Sequence, residues 1–239
     1  MKVIGLIGGM SCESTAHYYK RLNDRVRAHL GGLHSAEILM WSVDFAPVAQ
    51  MQHENRWQEA GAHLARIARR LEQAGAEVLV LATNTMHKVA ETIQASTSIP
   101  LIHIADATAE RIQNAGKRKP ALLATRFTME QDFYTGRLRE KFGLDVVVPD
   151  EAERALVHQI IYDELCIGRV TEASRQAFVD VAQRLERRGA DSLILGCTEV
   201  GMLLDESNAP VPIFDTALIH ADAAVDFALG LASTAQAAE

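Results

Sequence analysis

Short runs rich in Val, Ile and Leu alternate along the chain with longer stretches in which apolar residues recur every three or four positions. That alternation predicts a parallel sheet flanked by helices. Predicted strands fall at 2–7, 37–43, 77–82 and 100–104, and a second series follows at 120–125, 144–149, 192–197 and 211–215. The segments between them, such as WQEAGAHLARIARRLEQAG and ASRQAFVDVAQRLERRG, carry an apolar stripe at helical spacing and end in glycine, as helices do. The expected fold class is α/β.

The two series look alike because they repeat. RLEQAGAEVLVL at 70–81 matches RLERRGADSLIL at 184–195, and the step of 114 from Arg70 to Arg184 is the same as from Thr83 to Cys197. A shared offset across a helix end, a turn and a strand predicts two pseudo-symmetric domains, each a mostly parallel sheet flanked by helices. The expected boundaries are 1–116 plus 216–239 for the first and 117–215 for the second, since the tail TALIHADAAVDFALGLA reads as a helix that returns to the first domain. Ligands of α/β proteins sit at strand C-termini, so the expected site is a cleft between the domains lined by those ends.

Small polar residues follow several of these ends: GGMSCEST at 8–15, TNT at 83–85, TRFTMEQDFY at 125–134 and CTEV at 197–200. Thr83 and Cys197 leave equivalent strands, and two groups on opposite faces of one carbon are what a stereochemical inversion requires. Backbone N–H groups and hydroxyls at these exits suit a carboxylate. GGMS lacks the spacing of a dinucleotide fingerprint.

Composition narrows the classes. The 239 residues are 48% hydrophobic, with 31 acids against 24 bases and a net charge of -7, which argues against a nucleic-acid footprint. The apolar opening MKVIGLIGGM is too short for a membrane span and reads as a strand. Cys12, Cys166 and Cys197 lie far apart, with no CxxC and no histidine at ligand spacing, so no zinc site or disulfide framework is signalled and a reducing cytoplasm is expected. Cys197, at a strand exit before Thr198 and Glu199, is the candidate for chemistry; Cys166 is expected to pack or to line the cleft wall. The histidines of MHK, LIHI and HQII suit a structural role as well as a catalytic one, and none alone is singled out for chemistry.

In IGLIGGMSCEST, NTMHK, FTMEQDFY and LGCTEVGML, in that order and spacing, the chain resembles the aspartate/glutamate racemase family, the cofactor-independent amino-acid racemases. The resemblance spans essentially the whole chain. It implies an active site between two α/β domains, no pyridoxal phosphate, no metal, an amino-acid substrate and a homodimer. It also implies two proton-transfer positions, one per domain, both cysteine in the family. Here the first is Thr83 and the second Cys197, a combination similar to a branch specific for L-aspartate and L-glutamate. The substrate-binding set it implies is Met10, Ser11, Gln52, Asn84, Thr85, Thr125, Thr128, Thr198 and Glu199. Many relatives carry a lysine that contacts the distal carboxylate where this chain has Cys166.

The expected reaction is conversion of L-aspartate and L-glutamate to their D-enantiomers. A thiol with a pKa of about 8.5, lowered by a helix N-terminus, would serve as thiolate base at Cys197, and Thr83 would supply the proton on the other face. Broad-specificity racemisation, a single-cysteine carbanion enzyme similar to arylmalonate decarboxylase, and a non-catalytic amino-acid binder are the alternatives.

Overall fold

The computed structural model describes residues 1–231. The chain forms two compact units, Met1–His103 with the chain from His220 onward, and Ile104–Ile219. The expected first domain runs to 239, and its last eight positions, 232–239, lie outside the described residues.

In the first unit, β1 (Ile4–Gly8), β2 (Ile38–Ser42), β3 (Val78–Leu81) and β4 (Leu101–Ile102) form one parallel sheet in the order β2-β1-β3-β4. The central strands β1 and β3 are buried at every position, as expected where helices cover both faces. Those helices are α1 (Cys12–Leu30), α2 (Phe45–His53), α3 (Trp57–Gln73) and α4 (Ala90–Gln94).

The second unit opens with α5 (Ile104–Asn114) and carries β5 (Pro120–Leu123), α6 (Arg126–Glu130), α7 (Asp132–Phe142), α8 (Glu151–Asp163), α9 (Glu172–Arg187), β6 (Ser192–Leu195) and β7 (Ile213–Asp215). Its sheet is parallel in the order β5-β6-β7. Helix α10 (Thr216–Ala228) starts in this unit and passes into the first from His220.

The repeat holds at the level of atoms within each unit. Ala60, Leu64, Ile67, Ala68 and Leu71 are the buried stripe of α3, and Ser174, Phe178, Val181, Ala182 and Leu185 occupy the same steps on α9. Each such stripe seats its helix on the sheet, and truncating Leu64 or Phe178 to alanine costs about 2–5 kcal/mol. After each helix a glycine turns left-handed, Gly75 at φ 104° and Gly189 at φ 89°. The acid that follows ties the entry of the neighbouring strand: Glu77 accepts from the Val3 N–H at 2.9 Å, and Asp191 from the Arg118 and Lys119 N–H groups at 2.8 and 3.0 Å.

Two expectations change. Periodicity predicts a strand over 144–149, but the segment makes only a single bridge, Val147 beside Ala121. The segment still runs along the edge of β5, with the Asp145 N–H donating to the Arg118 carbonyl, the Val147 N–H to the Pro120 carbonyl and the Leu122 N–H to the Val147 carbonyl, each at 2.9 Å, before Asp150 caps α8. The boundaries expected at 116 and 215 fall instead after His103 and Ile219. Helix α5 packs Ile104, Ala105, Ala109 and Ile112 into the second unit's core, and its Asp106 pairs with Arg137 on α7. On α10, Asp222 and Asp226 pair with Arg21 and Arg25 of α1.

Candidate active site

Strand β6 delivers Cys197 through a glycine that no other residue could replace without displacement. The Gly196 N–H donates to the Leu123 carbonyl at 2.8 Å, and a Cβ there would lie 2.7 Å from Leu122 Cδ1 and 2.9 Å from Ala124 Cβ. The Thr216 hydroxyl fixes the preceding Leu195 carbonyl at 2.8 Å. Beyond Cys197 the chain tightens into a 3-10 turn, Thr198–Met202.

At this exit Cys197 Sγ donates to Glu199 Oε2 at 2.9 Å, and Thr198 Oγ1 donates to the same oxygen at 2.7 Å. Glu199 is buried and Cys197 is half-buried. Burial, and then the negative charge of Glu199, push the Cys197 thiol well above its usual range. The expected lowering by a helix N-terminus is therefore overturned: the segment is a 3-10 turn of five residues, too short to add up peptide dipoles, and a carboxylate faces the sulfur. Cys166, half-buried, is pushed up to about 12 by burial and then by Glu199. Tyr162 on α8 is also raised, chiefly by burial and then by Cys166, Cys197 and Glu199. On the adjacent strand exit, Thr125 and Thr128 are buried and their hydroxyls lie 3.2 Å apart.

The first unit builds the matching exit around Thr83. The Ala82 N–H donates to the Ile7 carbonyl at 2.9 Å, the counterpart of Gly196 and Leu123. Thr83 is half-buried, and its hydroxyl makes no hydrogen bond among the described residues. Asn84 and Thr85 are buried in the turn that follows. Gln52 reaches the same turn from α2, its amide donating to Met86 Sδ at 3.0 Å. Next door, β1 exits through Gly9 at φ 90°, where a Cβ would meet the Val43 carbonyl oxygen at 2.2 Å. Met10 and Ser11 are buried there, and the Ser11 hydroxyl caps α1 by accepting from the Ser14 N–H at 3.2 Å.

A histidine layer under Thr83 is the part that sequence reasoning misses. His87 Nδ1 donates to the Thr83 carbonyl at 2.7 Å, and its ring lies 4.7 Å from that of His103 and 5.7 Å from that of His220. His220 Nε2 donates to the Ile102 carbonyl at 2.8 Å, so its Nδ1 accepts from the Tyr18 hydroxyl, also at 2.8 Å. Burial, and then the neighbouring His87, hold the His220 pKa down at about 3. The four-residue step from Thr83 to His87 is the only trace of this layer in the sequence. The structure thus gathers Met10, Ser11, Gln52, Thr83, Asn84 and Thr85 at strand exits of the first unit, and Thr125, Thr128, Cys197, Thr198 and Glu199 at those of the second.

Residues 7–224 match the family described as Asp/Glu/hydantoin racemase. The chain belongs to this family. The racemase is 53% identical to a candidate Asp/Glu racemase of known structure from Yersinia pestis, with a TM-score of 0.89 over 96% of this chain and 100% of that one. It is 35% identical to an aspartate racemase homologue from Pyrococcus horikoshii OT3, with a TM-score of 0.83 over the same shares. It is 25% identical to a broad-specificity amino-acid racemase of Bacillus subtilis (strain 168), across 93% of this chain and 96% of the relative. The protein is an isomerase of amino acids. Among the described residues no three His, Cys, Asp or Glu side chains gather to hold a metal ion, and no helix is long and apolar enough to cross a membrane.

Proposed function

We propose that the racemase interconverts the enantiomers of aspartate and glutamate by moving the α-proton, with Cys197 and Thr83 serving opposite faces of one bound substrate. The observation that carries this reading is the bond from Cys197 Sγ to Glu199 Oε2 at 2.9 Å. A thiol held well above its usual pKa is a poor base by itself. Transfer of its proton to Glu199 leaves a thiolate and a neutral carboxylic acid, and the thiolate then takes the α-proton of the L-substrate. The carbanion receives a proton on its other face from the Thr83 hydroxyl, which regains one from water, and Glu199 gives its proton to the hydroxide so formed, which restores the carboxylate; Thr83 is half-buried, so solvent reaches it. In reverse the Cys197 thiol is the acid, a role that its raised pKa favours.

Met10, Ser11, Gln52, Asn84, Thr85, Thr125, Thr128 and Thr198 form the binding set in this reading, and the hydroxyls and amides among them supply neutral donors to the α-carboxylate and the developing enolate. Glu199 moves from substrate binder to proton acceptor. The Yersinia pestis and Pyrococcus horikoshii relatives support acidic substrates by their descriptions. A second reading, broad specificity, is favoured by the Bacillus subtilis relative and its near full-length match. A homodimer working in the cytoplasm, where Cys197 stays reduced, completes the proposal, and light scattering measures the dimer.

The test incubates the enzyme with single enantiomers of aspartate, glutamate, alanine and asparagine in deuterated water, following optical inversion and α-deuteration. Acidic substrates are expected to turn over at least tenfold faster than neutral ones. Equal turnover of all four supports the broad reading, and none at all removes both.

A further inference from the structure

We propose that Arg126 holds the side-chain carboxylate of an acidic substrate, and so sets the preference for aspartate and glutamate over neutral amino acids. This rests on the racemase reading above and names what makes it selective.

Placement comes first. Strands β5 and β6 run parallel with Leu123 opposite Leu195, and two residues beyond each stand Thr125 and Cys197. Arg126 follows Thr125 directly, so the cation stands at the strand exit beside the one that carries the sulfur. Its backbone is pinned, with the N–H donating to His158 Nδ1 at 3.3 Å. Its guanidinium lies 5.8 Å from the centre of the Phe127 ring, whose edge meets His158, and the His158 ring in turn sits 4.6 Å from that of Tyr162. Tyr162 links this layer to the sulfur electrostatically, since Cys166, Cys197, Glu199 and Arg126 all act on its phenol.

Chemistry follows from charge. The residues assigned to binding are neutral, and the acid among the site residues, Glu199, accepts from Cys197 and Thr198. A dicarboxylate entering beside Glu199 needs a cation to offset its second charge. Neighbouring arginines of the second unit are committed: Arg154 to Glu130, Arg184 to Glu153, Arg137 to Asp106, and Arg175 to the carbonyls of Met202 and Leu203. Arg126 is exposed, and its guanidinium makes no hydrogen bond or ion pair among the described residues. Resting on an aromatic face leaves its planar fork of N–H donors available for a carboxylate.

Equilibrium binding of L-aspartate and L-asparagine to wild type, Arg126→Gln and Arg126→Lys separates this assignment from the reaction itself. Wild type is expected to prefer L-aspartate. Arg126→Gln should weaken L-aspartate by about 30-fold and leave L-asparagine within about threefold, with Arg126→Lys between, since a charged hydrogen bond is lost in one case only. Unchanged L-aspartate binding in Arg126→Gln, an equal loss for both ligands, or no preference in wild type each overturns the assignment. Selective loss without any α-deuteration by wild type upholds Arg126 and removes the racemase reading instead.

Discussion

Cys197 Sγ donates to Glu199 Oε2 across 2.9 Å, with Thr198 donating to the same carboxylate oxygen. Sulfur and carboxylate are therefore electrostatically coupled. Burial and the carboxylate both favour the thiol over the thiolate, so at neutral pH Cys197 rests protonated. In the proposed reaction, base chemistry at the sulfur would then depend on Glu199, and acid chemistry would come from the resting thiol.

Glu199→Gln keeps the shape and removes the charge. In a Cys12→Ser background, which silences the exposed thiol, alkylation of Cys197 should reach its half-maximal rate at a lower pH than in the parent. The sign follows because a nearby negative charge raises a thiol pKa and its removal lowers it, while the larger contribution from burial persists. Racemisation should fall by about 10²- to 10³-fold, the scale of a lost acid–base partner. An unchanged alkylation profile would show that Glu199 does not act on the sulfur.

Thr83→Cys supplies a second thiol at the exit where the first unit carries a hydroxyl. Threonine has no accessible alkoxide near neutrality, so wild type should exchange the α-proton of D-aspartate more slowly than that of L-aspartate. The substitution should raise the D-side rate by about tenfold or more. Equal wild-type exchange from both enantiomers would mean that another group is the base on that face.

Gly196→Ala tests the strand exit. The added methyl meets Leu122 Cδ1 at 2.7 Å and Ala124 Cβ at 2.9 Å, so either the strand or the β5 exit must move. Urea denaturation should show a loss of about 1–3 kcal/mol, and turnover should drop as Cys197 shifts. Full activity and full stability together would show that the packing relaxes without cost.

His220 makes stability depend on pH. Its folded pKa of about 3 lies below the ordinary 6.5, so between these values the unfolded chain binds a proton that the folded protein excludes. This contribution is complete above pH 6.5 and declines as pH falls towards 3, at up to about 1.4 kcal/mol per pH unit. Carboxylates titrate in the same range, so the measurement is the difference in slope between wild type and His220→Gln from pH 6 to pH 4. The variant should be flatter, and identical slopes would contradict a buried neutral imidazole.

Much of the fold was legible in the residues. The step of 114 from Thr83 to Cys197 marks equivalent strand exits because α3 and α9 bury side chains at the same steps and Gly75 and Gly189 make the same turn. The segment 144–149 shows the limit: its apolar run does lie beside β5, but it closes one bridge there, between Val147 and Ala121, rather than a full strand. Thr83 and Cys197 were visible as strand-exit residues, but the bond between Cys197 and Glu199 was not. Two residues apart, a thiol and a carboxylate read as neighbours, and only the 3-10 turn brings Oε2 onto Sγ. Nor does local spacing reveal the histidine layer, because His87, His103 and His220 come from separate segments that meet only in the folded first unit.

The most direct measurement follows α-deuterium incorporation and optical inversion for L-aspartate in deuterated water, with wild type beside a folded Cys197→Ser variant. Wild type should deuterate and invert the substrate together, and Cys197→Ser should lose both by about 10³-fold or more, since a serine hydroxyl cannot replace the thiol as base. Exchange by Cys197→Ser at the wild-type rate would contradict the account and place the proton-transfer group elsewhere.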